Sequence, residues 1–123
     1  MKANELRIGN YVDWDDKTIR SIVKGIHPSS KYVHLENGWV DLIRCEPIPL
    51  TEEWLVRFGF YSVGDEMFDK EISEKRSISC SLHSKAVYAG SETIWVQISL
   101  NINFIHQLQN LYFALTGQEL TFV

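Results

Sequence analysis

The sequence predicts an α+β fold: a small, SH3-like bent β-sheet at the N-terminus, then a helix, an antiparallel β-meander and a closing C-terminal helix. Three observations carry this prediction. Short segments alternate apolar and polar residues, the period of a half-buried strand. Two other segments open on helix-start signals and continue with apolar residues at helical spacing. Polar turn residues separate the strand-like runs.

The N-terminal part reads as short strands, with residues 6–12 and 18–26 as the first two candidates. In the second, β-branched residues outweigh the helical spacing of Ile19, Ile22, Val23 and Ile26. The clearest local signal is Asn37-Gly38 between two apolar runs, the pattern of a two-residue hairpin turn. That turn pairs Leu35 with Val40 and Val33 with Leu42 on a core face, and leaves Tyr32, His34, Trp39, Asp41 and Ile43 on the other. It also sets His34 opposite Asp41.

Pro47 and Pro49 end these strands, because neither can donate to a sheet ladder. Thr51 follows as an N-cap, with Glu52 and Glu53 in the first turn where the helix dipole favours negative charge. Trp54, Leu55 and Phe58 share one face, and Gly59 stops the helix. The prolines divide a barrel-like subdomain, residues 1–50, from an α-β-β-β-α subdomain, residues 51–123, with one core shared between them.

In the second part, residues 77–82 alternate strictly, with Ile78, Cys80 and Leu82 inward and three serines outward. Residues 86–89 form the return strand. Ile94, Val96, Ile98 and Leu100 alternate with polar residues in the strongest strand pattern of the chain. Asn103 then caps a helix running to Thr116, with Gly117 as its stop. Phe104, Ile105, Leu108, Leu111, Tyr112 and Leu115 make the apolar stripe of that helix.

Composition narrows the function. Hydrophobic residues make up 45% and charged residues 23%, ordinary values for a folded domain. The net charge of −4 and a pI near 5.5 disfavour a generic nucleic-acid-coating surface. Residues 93–118 contain no Asp, Glu, Lys or Arg, but eight amide and imidazole groups among them exclude a membrane span. Two cysteines, Cys45 and Cys80, and the lack of an apolar leader point to a reducing, cytoplasmic setting with both thiols free.

Catalytic chemistry leaves no local mark. There is no phosphate loop, nucleophile elbow, zinc-binding helix motif or Cys-x-x-Cys pair, and the four histidines show no ligand spacing. These readings favour a protein that is not an enzyme, without metal or cofactor. Two surfaces are candidates for binding. Tyr11, Trp14, Tyr32, His34 and Trp39 gather aromatic and imidazole rings in the N-terminal part, either as an exposed binding platform or as cover for a small sheet. On the closing helix, His106, Gln109, Asn110 and Phe113 form an uncharged second face. A solvated face normally carries Lys, Glu or Arg, so this one suits a partner contact or burial against the N-terminal barrel.

The segments Leu6-Arg7-Ile8-Gly9-Asn10-Tyr11-Val12, Pro47-Ile48-Pro49-Leu50-Thr51-Glu52-Glu53-Trp54-Leu55 and the closing run from His106 to Gly117 resemble a family of short, uncharacterised bacterial and prophage proteins. The resemblance implies an accessory protein of a phage or other mobile element and carries over no catalytic or ligand residue. The leading expectation is therefore a non-catalytic protein that acts through protein–protein contacts, with itself as a homodimer or with another protein. The alternative is a nucleic-acid-associated accessory protein, using the barrel aromatics with Lys17, Arg20, Lys24 and Lys31.

Overall fold

The computed structural model describes residues 1–15, 19–36, 38–91 and 93–122. Its described residues form an α+β fold of antiparallel sheets with two α-helices, one of them near the C-terminus. The chain divides into two compact units: Met1–Pro49 with Phe104–Glu119, and Leu50–Asn103 with Leu120–Val123. The closing helix, expected within a 51–123 subdomain, therefore belongs with the N-terminal segment. The reason is physical: its amide side chains bond the backbone around residue 10, as described below.

In the first unit, β1 (Tyr11–Trp14) lies between β2 (Ile19–Ile22) and β6 (Cys45–Glu46). A second three-stranded sheet holds β3 (Gly25–Ile26), β4 (Tyr32–Leu35) and β5 (Gly38–Asp41) in that order. Leu6, Val12, Val23, Val33, Leu35, Leu42 and Cys45 form its buried cluster. The first strand starts later than the alternation suggested. Asn10 closes a turn ahead of it: its Oδ1 accepts from the Arg7 N–H at 2.7 Å, and Gly9 takes a φ of +101°.

The stretch read as one strand over residues 18–26 is split, and Thr18 lies outside the described residues. The Val23 N–H donates to the Asn10 carbonyl and the Lys24 N–H to the His34 carbonyl, each at 2.8 Å. Neighbouring residues thus serve different partners, and the chain passes from one sheet to the other at this point.

The hairpin keeps its faces but not its pairs. Val33 pairs with Val40, Leu35 with Gly38, His34 with Trp39, and Tyr32 with Asp41. The register differs by two residues from the one read off Asn37-Gly38, and Asn37 itself lies outside the described residues. Slippage by two leaves every side chain on its original face, because the strand period is two. Beyond the last pair the Leu42 N–H still donates to the Lys31 carbonyl at 2.9 Å, and Asp41 accepts from the Ile43 N–H at 3.2 Å to start the 3-10 turn Leu42–Arg44, in which Leu42 is buried.

In the second unit, α1 (Glu52–Arg57) starts as the sequence indicates, with the Thr51 side chain accepting from the Trp54 N–H. Gly59 follows it at a φ of +91°. The meander has five strands, not three: β7 (Tyr61–Gly64), β8 (Met67–Ser73), β9 (Arg76–Ser81), β10 (Ala86–Gly90) and β11 (Trp95–Ser99), in sequential order. The first two lack a clean apolar alternation, since exposed and half-buried residues dominate them. Phe68, Cys80 and Val87 form one buried row across β8, β9 and β10. Asp69, Ser79 and Tyr88 form the neighbouring row, whose side chains point to the opposite face.

Two expectations for this sheet are corrected. Ser79 and Ser81 are buried on β9, the central strand of the sheet. β11 is an edge strand, with Val96 at 57% exposure and Ile94, just before it, at 65%, so the strongest alternation belongs to a poorly covered strand. α2 (Ile105–Thr116) is capped at Phe104, one residue after the expected Asn103. Gln107 Oε1 accepts from the Phe104 N–H at 3.0 Å, while Asn103 Nδ2 donates to the Asn101 carbonyl instead. Gly117, at a φ of +72°, ends the helix.

Candidate functional site

The β3-β4-β5 sheet brings together part of the aromatic set. Tyr32 and His34 stand on β4, two residues apart and so on one face, and Trp39 stands on β5 directly opposite His34. The His34 and Trp39 rings stack at 5.1 Å between centroids, 26° from parallel. His27, just past β3, completes the group: its ring meets Trp39 edge-on at 5.6 Å and Tyr32 edge-on at 5.8 Å. Its Nδ1 accepts from the Ser29 N–H at 3.1 Å, which holds the ring in place and leaves Nε2 to carry the proton of the neutral form. Gly25 lies beneath, where a Cβ would sit 3.7 Å from the Trp39 ring. Trp39 is nevertheless 55% exposed, and Tyr32 and His27 are exposed beside it.

The other two aromatic candidates are elsewhere. Tyr11 and Trp14 lie on β1, in the other sheet of this unit. The Tyr11 N–H donates to Gln109, and Trp14 is half-buried with the Arg44 guanidinium 5.7 Å from its ring. His27 was missed because it follows the strand pattern it supports; its Pro28-Ser29 neighbours mark only a turn. The signal that can find it is the β3–β4 pairing, which returns the chain past Trp39.

The uncharged face of α2 is occupied within the first unit. His106 is 2% and Gln109 1% exposed, so neither presents a surface. Gln109 Oε1 accepts from the Tyr11 N–H at 2.9 Å, and its Nε2 donates to the Gly9 carbonyl at 3.1 Å. One side-chain amide thus stands in for a backbone peptide beside residues 9 and 11. Asn110 Oδ1 accepts from Asn10 Nδ2 at 2.8 Å, and its Nδ2 donates to the Glu5 carbonyl at 3.0 Å. Phe113 remains 38% exposed with the Arg7 guanidinium 4.2 Å above its ring, and Arg7 is also ion-paired to Glu119. Of the four residues, only Phe113 is exposed. The amide face was selected by a backbone that needs one donor and one acceptor.

Burial holds the His106 imidazole below its ordinary pKa of 6.5, against a smaller opposing pull from Glu5. Its Nδ1 is buried with no hydrogen-bond partner among the described residues. The native state therefore binds fewer protons here than the unfolded chain. The contribution is complete above the ordinary histidine range and is lost as the pH falls through it. The melting temperature of the wild type is expected to fall between about pH 7.5 and about pH 5.5 more steeply than that of His106→Phe. Parallel curves for the two proteins in differential scanning calorimetry would contradict this.

The thiols offer no reactive group. Burial pushes Cys45 and Cys80 up to about 11, and both are free. Among the described residues no cluster of His, Cys, Asp and Glu can hold a metal ion, and no helix is long and apolar enough to cross a membrane. Of the basic residues considered for nucleic acid, Arg20 is ion-paired to Asp13 at 3.0 Å, Lys24 and Lys31 are exposed, and Lys17 lies outside the described residues. The chain matches no protein-family model, no curated protein and no solved structure.

Proposed function

We propose that the chain is a non-catalytic binding module that acts through protein–protein contacts, an accessory protein of the phage or mobile-element kind that its family resemblance implies. The observation that carries this reading is Trp39, a large exposed ring supported from two sides by His27 and His34. A tryptophan braced by its neighbours loses little freedom when a partner covers it, and such residues dominate binding energy at interfaces. The imidazole and phenol edges around it supply hydrogen-bonding groups at its rim. An apolar centre with a polar rim fits a protein segment, from another gene product or a second copy of this chain. The pairing of Arg20 with Asp13 removes one phosphate ligand and weighs against nucleic acid.

The test is Trp39→Ala, captured side by side with the wild type from cells expressing the neighbouring genes. Loss of a co-purifying protein by about tenfold or more, with the melting temperature unchanged, is the expected result. Equal capture by the variant overturns the assignment of Trp39. Retained nucleic acid that leaves steeply with rising salt supports the nucleic-acid reading in its place.

A further inference from the structure

On the face of the five-stranded sheet that carries Asp69, Ser79 and Tyr88, a depression of about 360 Å³ is lined by Val63, Met67, Asp69, Ser79, Tyr88 and Trp95. Each of the five strands contributes at least one of these residues. The depression lies within the second unit, and the reading of Trp39 does not bear on it. Its volume is in the range of small-ligand sites, and most of its lining is aliphatic, thioether or aromatic.

One group does not fit an apolar surface. Asp69 is half-buried, and its Oδ1 is enclosed with no hydrogen-bond donor among the described residues. A carboxylate placed among apolar side chains normally has a cation or several N–H groups beside it. Here the ladder supplies neither, because the directly opposite residue on β9 is Ser79, and beyond it on β10 comes Tyr88. The second unit as a whole adds to the negative potential, with eight carboxylates against five basic side chains.

We propose that this depression binds an organic ammonium compound, with the cation held by the Asp69 carboxylate and the Tyr88 and Trp95 rings and its apolar stem along Met67 and Val63. An ammonium group gains from the carboxylate and from aromatic faces together, the recognition chemistry of choline-like cations and of lysine side chains. A neutral ligand of equal shape satisfies the apolar lining but leaves Asp69 as it is. An anion is repelled. Free amines and lysine side chains of a protein both carry the required group, and probes of each kind separate these sources.

The experiment is a titration followed by two-dimensional NMR, reading the Trp95 indole N–H and the amides of β8 and β10. The probes are choline, its uncharged isostere 3,3-dimethylbutan-1-ol, and Nα-acetyl-lysine methylamide. Saturable shifts with choline at millimolar concentration, at least about tenfold weaker for the neutral isostere, are expected. A still tighter response to the lysine amide supports the proposal and identifies a protein side chain as the source. Asp69→Asn keeps the side-chain shape and is expected to abolish the preference for charge. Trp95→Ala, folded by the same spectra, is expected to weaken binding of every probe. Equal binding of choline and its isostere overturns the proposal, as does undiminished choline binding by Asp69→Asn. Absence of any shift at these concentrations overturns it as well.

Discussion

Gly90→Ala is expected to detach β11 from the sheet and lower the melting temperature by about 10 °C. Gly90 ends β10 opposite Trp95, and the Ser91 N–H closes the connection onto the Ile94 carbonyl at 2.9 Å. A Cβ at this position collides with that same carbonyl oxygen and sits only 2.8 Å from the Trp95 Cα. Both are backbone atoms, so no side-chain rotation relieves the overlap. The turn must open or the strand must move away, at a cost of about 2 to 3 kcal/mol. Hydrogen exchange localises the effect. Amides of β10 and β11 are expected to lose protection while those shared by β8 and β9 keep theirs. A variant with wild-type melting and unchanged protection would show that the connection adapts.

The second large effect is expected in the first unit. Gln109→Leu keeps approximate volume but removes the acceptor for the Tyr11 N–H and the donor to the Gly9 carbonyl. Both backbone groups lie beside a buried side chain, where replacement by water is hindered. Leaving them without partners costs about 2 to 4 kcal/mol together. The urea midpoint is expected to fall with little change in slope, because the surface exposed on unfolding stays the same. Gln109→Glu keeps the acceptor but sets a carboxylate against the Gly9 carbonyl, and it is expected to be at least as damaging. If Gln109→Leu unfolds at the wild-type midpoint, the amide bridge does not support the unit.

Local chemistry made some elements legible in the sequence and hid the partners of others. Thr51 and Gly59 mark a helix through atoms within a few residues, and the structure has that helix. Asn37-Gly38 is equally local, yet the ladder pairs Leu35 with Gly38, two residues away from the register that a turn centred on these two residues sets. The alternation from Ile94 to Leu100 shows that the two faces differ, and says nothing of which is covered. Edge position depends on strand order, which no residue in the segment encodes.

The candidate surfaces divide the same way. Tyr32, His34 and Trp39 share a face because the strand period requires it, so their grouping was readable. Tyr11 and Trp14 match them in composition but belong to another sheet, and His27 joins only through β3 pairing. For α2 the amide pattern marks a face that suits either a partner contact or burial against the N-terminal segment. An intermolecular partner and the backbone at residues 9–11 make identical demands on it, and only the tertiary pairing distinguishes them.

The Gln109 bridge also constrains the order of events during synthesis. Chains emerge from the ribosome at about 5 to 20 residues per second, N-terminus first. The Gly9 carbonyl and Tyr11 N–H are made early, while the side chain that serves them comes about a hundred residues later. Residues 50–103, the bulk of the other unit, are translated in between. The nascent N-terminal strands must therefore wait, with one edge bound only by water, until the helix is released. A ribosome stalled before residue 109 is expected to display an N-terminal segment with that edge open to proteases and to chaperones.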